Sequence, residues 1–225
     1  MFESVISNIF DAVALLRYGH FDESTFLLRV ALVDIQKAGH LDAFQGPQEE
    51  GKLSTVPIEG NLKSSGMPNV NQTSCFSVFN RGFIFEDASS LPPTDVAASR
   101  CASVCLYNMA LGLHLKGLST GESGYLRKAS GLYRKVHTLL STCTRTPEDS
   151  SSTLLLAALL NLIACESELH GHGVVGEFKS TFASLFSWAT QAQCSAVYDQ
   201  PDDFTFFTTS ALLFCNQNLA TAPAA

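Results

Sequence analysis

Basic residues are scarce in this chain: 14 lysines and arginines stand against 21 aspartates and glutamates over 225 residues, a formal net charge of -7. Such a balance repels a phosphate backbone unless a local patch overrides it. The densest patch, Arg127-Lys128 with Arg134-Lys135, puts four charges on one predicted helix, where a solvated face is the simpler reading. Charge of either sign is thin, at 16% of residues against about a quarter in ordinary globular domains. A surface so lightly charged points to apolar area meant for covering.

No basic residue precedes Arg17, and Glu3 and Asp11 are acidic, so the first stretch matches neither a secretory signal nor an Arg-rich transit peptide. The longest apolar run, residues 153–165, is interrupted by Asn161 and falls short of the roughly 20 residues of a spanning helix. These absences set the expectation of a soluble, intracellular protein, cytoplasmic or nuclear, with no membrane and no nucleic acid among its partners. The sequon Asn71-Gln72-Thr73 then carries no meaning.

A disulfide framework is missing too. The seven cysteines are odd in number, and Cys101, Cys105 and Cys165 sit inside apolar helical runs, as buried thiols do in a reducing compartment. Cys101 and Cys105 share a helix face, but no second pair completes a four-ligand zinc site. The chain has no H-E-x-x-H, no G-x-S-x-G and no P-loop. Gly171-His-Gly-Val-Val-Gly176 matches the spelling of a dinucleotide loop, yet a predicted helix precedes it where that loop needs a strand, so it reads as a turn. Glu166, Glu168, His170 and His172 gather potential metal ligands at a helix end, where solvation and the helix dipole give the plainer account. The expectation is no metal, no cofactor and no catalysis. The alternative is a small-ligand or catalytic site at residues 166–172.

What is present is helical periodicity. Val5, Ile9, Val13 and Leu16 predict a first helix, broken at Gly19-His20; Asp22 caps a second carrying Phe26, Leu27, Val30, Leu32 and Val33 and stopped by Gly39. Residues 46–74 collect Gly, Pro, Ser and Asn without period and read as a long mobile loop dispensable for folding. Residues 76–85 are aromatic and β-branched enough for a strand. Further helices are expected from Thr94 or Asp95 to Gly117, and over 125–143, 153–170 and 177–196. For the C-terminal run two readings stand: a strand over 203–214 pairing with 76–85, since each would be the other's partner, or a final amphipathic helix over 203–220 capping the stack.

The helical pairs share a pattern. Leu106-x-x-Met109-Ala110-x-x-Leu113 is followed by Gly117 and then by Ala129-x-x-x-Tyr133-x-x-Val136. The first pair repeats the spacing with Ala12, Gly19 and Ser24-x-x-x-Leu28-x-x-Ala31. The third does so more loosely, with Leu160-x-x-Ile163-Ala164, Gly171 and Phe182-x-x-x-Phe186-x-x-Ala189. Small residues at such positions let helices cross closely while large ones fill between pairs. The pattern resembles the tetratricopeptide class and covers about half of the chain; the bland alternative is an irregular helical bundle. Leu106-Tyr-Asn-Met-Ala-Leu-Gly-Leu-His-Leu-Lys-Gly117, residues 158–163 and the aromatic C-terminal run also look like an expanded group of uncharacterised diatom proteins, a likeness that implies a similar fold and brings no activity.

The tetratricopeptide resemblance implies a mainly α, single-domain fold of antiparallel helical hairpins stacked as a degenerate solenoid, with room for one short two-stranded antiparallel β element. It further implies a protein-interaction scaffold, binding a peptide or protein segment in a groove lined by the first helix of each pair. Carried across, that wall is Val13 and Leu16, then Tyr107, Leu111 and His114, then Asn161, Cys165 and Glu168. The Lys and Asn array with which some relatives clamp a peptide carboxylate is missing. An apolar wall of this kind suits a helix or an extended apolar segment, the chain's own residues 76–85 included.

Overall fold

Apolar residues spaced three and four apart dictate the first helical pair. Helix α1, Phe2–Arg17, buries Val5, Ile9, Val13 and Leu16 on one stripe, and α2, Phe21–Lys37, buries Ser24, Leu28, Ala31 and Ile35. Gly19 turns the chain between them at φ 78°, a left-handed conformation that favours glycine. This computed structural model describes residues 2–37, 51–58, 78–86, 94–141, 151–171 and 175–219.

After α2 come two strands, β1 (Leu53–Pro57) and β2 (Arg81–Phe85), and then the helices α3 (Asp95–Thr120), α4 (Ser123–Ser141), α5 (Ser151–His170), α6 (Gly176–Gln191), α7 (Ser195–Tyr198) and α8 (Pro201–Leu219). Each helix from α1 to α6 packs on the next in sequence, and α3 also touches α1 and α5. Thr94 caps α3 by accepting a hydrogen bond from the Ala97 amide. Its end differs from the expected Gly117: one more turn carries the helix to Thr120, and Gly121, at φ 72°, supplies the left-handed cap. Gly117 has another task. A Cβ there would lie 2.9 Å from Leu126 Cδ2 and 3.2 Å from the Leu126 backbone nitrogen, so the missing side chain lets α4 approach α3.

Helix α5 has no polar face over most of its length. Ser151 through Ser167 are all buried, as suits a helix packed on α3, α4, α6 and α7. Both α3 and α5 are long and apolar enough to cross a bilayer by length and composition, but 67% and 89% of their most apolar windows are buried inside the fold. The run judged too short from its sequence thus extends into a full helix because its serines and Asn161 are buried along with its leucines.

Two expectations need correction. The stretch 46–74 was expected to be an aperiodic loop, but Leu53–Pro57 inside it is a strand; positions 46–50 and 59–74 lie outside the described residues, as does the sequon at 71–73. Of residues 76–85, with 76 and 77 outside the described residues, Arg81–Phe85 is the strand, and its partner is β1 and not the C-terminal run: β1 pairs antiparallel with β2 in the register Leu53 to Phe85, Thr55 to Phe83 and Pro57 to Arg81. Residues 201–219 form a helix. Pro201 opens it, Asp202 and Asp203 occupy its first turn, and the hydroxyls of Thr205, Thr208, Thr209 and Ser210 each donate to the carbonyl four residues back. Its β-rich composition is overridden because Asp203, Phe207 and Phe214 fall on one buried helical stripe.

Candidate functional site

Seven of the eight residues expected to line an open groove are buried: Val13, Leu16, Tyr107, Leu111, His114, Asn161 and Cys165; Glu168 is exposed. The groove is therefore not open along these residues. The chain's own strand β2, with residues 78–80 before it, lies on α1 and α3 and reaches Asn161 of α5.

Strand geometry decides how β2 is held. Its even-numbered residues turn their backbone groups toward β1, as in the Ile58 amide donating to the Asn80 carbonyl and the Glu86 amide to the Lys52 carbonyl. The odd-numbered residues turn theirs the other way, where no third strand lies among the described residues, and asparagine side chains take its place. The Phe83 amide donates to Asn108 Oδ1 at 3.0 Å while Asn108 Nδ2 donates to the Phe83 carbonyl at 2.8 Å. One helix further along, the Phe79 amide donates to Asn161 Oδ1 at 2.8 Å and Asn161 Nδ2 donates to the Phe79 carbonyl at 3.1 Å. Between the two, the Tyr107 hydroxyl donates to the carbonyls of Phe79 and Arg81, at 3.3 and 3.2 Å. Each carboxamide offers a donor and an acceptor in one plane, the complement of a single residue's main chain.

The side chains of β2 are held as closely. Phe79 stacks on Phe207 of α8 at 5.0 Å between ring centroids, and Phe83 stands edge-on to Tyr107 at 5.0 Å. Arg81 Nε lies 3.0 Å from Asp203 Oδ1, and the Thr55 hydroxyl donates to Asp203 Oδ2 at 2.7 Å. Burial raises the Asp203 carboxyl above its ordinary value although Thr55 and Arg81 pull the other way. Gln200, against Thr55, covers the outer edge of β1, and Pro57 has no amide to offer there. The ribbon therefore leaves little free edge.

The titratable groups along the wall are set toward their neutral forms. Burial pushes the phenols of Tyr107 and Tyr133 well up, so both remain donors. It pushes the Cys101 thiol up to about 12 and raises Cys105 and Cys165 further, which removes the thiolate a nucleophile needs. His114, edge-on to Tyr133, has no hydrogen-bond partner for either ring nitrogen among the described residues, and burial lowers it to about 4.

The second candidate lies at the far end of α5. Ser130 of α4 donates to Glu166 Oε1, Arg134 Nη2 lies 3.1 Å from the same oxygen, and His170 Nε2 stands 3.9 Å from Oε2. Burial alone would raise the Glu166 carboxyl; Ser130, Arg134 and His170 together outweigh it and hold the group below its ordinary value. The hydroxyl points at the carboxylate and not at the imidazole, so the three do not make a nucleophile relay. His172 lies outside the described residues, and no cluster of three potential metal ligands occurs among the described ones.

Asn108 and Asp203 were missed from the sequence. An asparagine inside an apolar helical run, as in Leu106-Tyr-Asn-Met109, was the available signal, because a buried carboxamide must find partners. Comparison with family models, curated proteins and solved structures finds no match.

Proposed function

We propose that this chain is a tetratricopeptide-like interaction protein, whose inner wall of α1, α3 and α5 holds an extended segment of protein by its main chain, without catalysis. The observation that carries this reading is the pair of carboxamides on neighbouring first helices. Asn108 and Asn161 each pair with both the N–H and the C=O of one residue of an extended strand. Main-chain pairing of this kind tolerates a range of sequences, which suits a binding wall. The order of helix contacts also favours a solenoid: α3 touches α1 and α5, as successive first helices do, and α2 and α4 each contact the first helix before and the first helix after. The buried small residues Ala12, Ala110 and Ala164 recur on those first helices.

The runner-up, a small-ligand or catalytic site at residues 166–172, has less in its favour, since Glu166 is already engaged by Ser130 and Arg134. The reading is tested by capture from cells that express the chain, comparing wild type with Arg81→Ala, which loosens the hairpin from α8. Proteins should be enriched on the loosened chain and lost again when Asn108 and Asn161 are both changed to Ala. Equal recovery on all three would reject the wall as the binding surface.

A further inference from the structure

The two strands are an insertion in an otherwise continuous helical stack. Helices α2 and α3 pack directly on each other, so the stack from α1 to α6 does not need the hairpin to join its parts. A lone two-stranded ribbon has little stability of its own in water. What holds it is the wall, and nearly every atom that reads β2 belongs to a helix: Val13 on α1, Tyr107 and Asn108 on α3, Asn161 on α5, and Asp203, Phe206 and Phe207 on α8. Strand β1, which pairs with the even-numbered residues and brings Thr55 to Asp203, travels with the hairpin. A site made this way persists when its occupant leaves.

The wall also selects, position by position. Residue 79 must be flat and apolar, because its ring fills the space against Phe206 and Phe207 at 5.5 and 5.0 Å. Residue 81 faces a carboxylate only 1% exposed, which calls for a cation within reach of Asp203, and the Arg81 guanidinium meets it while remaining 23% exposed itself. Residue 82 is tight against its neighbours. A Cβ there would stand 3.1 Å from Val13 Cγ1, 3.3 Å from Val13 Cγ2 and 3.4 Å from Asn108 Oδ1, the same oxygen that receives the Phe83 amide. Residue 83 is aromatic against Tyr107, and Phe85 is buried in the main core. Asn80 is exposed and Ile84 only half-buried at the edge of the core, so these two positions are the least constrained.

We propose that the wall is selective for extended segments reading aromatic-x-Arg-Gly-aromatic-x-aromatic, and that β2 is an internal competitor for a partner protein displaying that pattern. The inference rests on the interaction reading above and adds to it the chemistry of the partner. Binding in trans then exchanges one such strand for another: the carboxamides, the Asp203 carboxylate and the aromatic wall are reused. The affinity for the partner is lowered by the fraction of chains in which the hairpin is docked.

The test uses the full chain carrying Gly82→Val, in which the added branch strikes Val13 and the Asn108 clamp and drives β2 off the wall. The probe is a labelled synthetic peptide with the sequence of residues 78–86, flanked by lysines for solubility. It should bind the variant at least tenfold more tightly than it binds wild type. Replacing the peptide's arginine by glutamate, or its glycine by valine, should each weaken binding at least tenfold. If Gly82→Val does not fold, Arg81→Ala, which adds no clash, takes its place with the same peptides. A scrambled peptide that binds equally well would overturn the pattern while leaving the wall as a general peptide groove. No binding of any peptide to either loosened chain would overturn the competitor role itself.

Discussion

Asn161 carries more polar connections than any single apolar neighbour can replace. Its Nδ2 lies 3.1 Å from the Phe79 carbonyl and 3.2 Å from the hydroxyls of both Tyr107 and Tyr133, while its Oδ1 receives the Phe79 amide. Removing a partner from buried groups costs more than the bond contributed, because each is left without water. Asn161→Ala should therefore lower unfolding free energy by about 2–4 kcal/mol in urea denaturation. Asn161→Leu, which fills the volume, should cost nearly as much; a small loss for Leu alone would show that packing and not pairing matters there. His114 makes the opposite prediction, since no partner is lost with it. Its folded pKa of about 4 lies below the ordinary 6.5, so the unfolded chain takes up the proton first as pH falls. The stability is complete above about pH 6.5 and declines as pH drops toward 4, by about 3 kcal/mol in all. His114→Leu should remove that part of the acid dependence and leave stability at neutral pH equal or higher. An unchanged stability profile between pH 6.5 and 4 would refute it.

At the scale of elements, α3 and α4 hinge on one glycine. Gly117→Ala would press on Leu126, backbone included, and should cost on the order of 1–3 kcal/mol. Gly131 in the middle of α4 is exposed with open space around its missing Cβ, so Gly131→Ala should stabilise by about 0.5–1 kcal/mol through helix propensity. Thermal melts of the two single variants separate packing from propensity; shifts of the same sign would contradict this account. The long helices were legible in the sequence because their apolar residues keep a period of 3.6 over several turns, as in α1 and α4. β1 was not, since Leu53-Ser-Thr-Val-Pro57 is five residues long and embedded among Pro, Gly and Ser, and nothing local marks Phe85 as its partner. For α8 the composition of Phe and Thr argued for a strand, while the need to cap a helical stack argued for a helix. Tertiary burial of Phe207 and Phe214 decided between them. That Tyr107 and Asn161 hold residues 79–81 was not legible, because the placement of that segment depends on Asn108, Asn161 and Asp203 together.

Over the whole molecule, two kinds of unit differ in how they are held. The helices α1 to α6 form a chain of neighbours, each buried between the ones before and after it, and the core they share includes the fully buried run of α5. The hairpin joins that core through Leu53, Ile58, Phe79, Phe83 and Phe85, through two carboxamides, and through ion pairs of Arg81 with Asp202 and Asp203 and of Lys52 with Asp199, while the contacts between successive helices are made without it. Such an arrangement should open in steps, since segments differ in the free energy needed to expose their amides. The amides of Phe79 and Phe83 should exchange with solvent through release of the hairpin, at a free energy below that of the α3 and α5 amides, which wait for global unfolding. Arg81→Ala leaves Asp203 buried without its cation, a change worth about 1–3 kcal/mol for a partly exposed pair. It should lower the two hairpin amides and the α3 and α5 amides by that same amount, because release of the hairpin and global unfolding both lose the contact, and the gap between the two sets should remain. Native-state hydrogen exchange under mild denaturant reads both sets in one experiment. If Phe79 and Phe83 exchange only together with α5, at the same free energy and with the same dependence on denaturant, the hairpin is an inseparable part of one cooperative unit and could not give way to a partner.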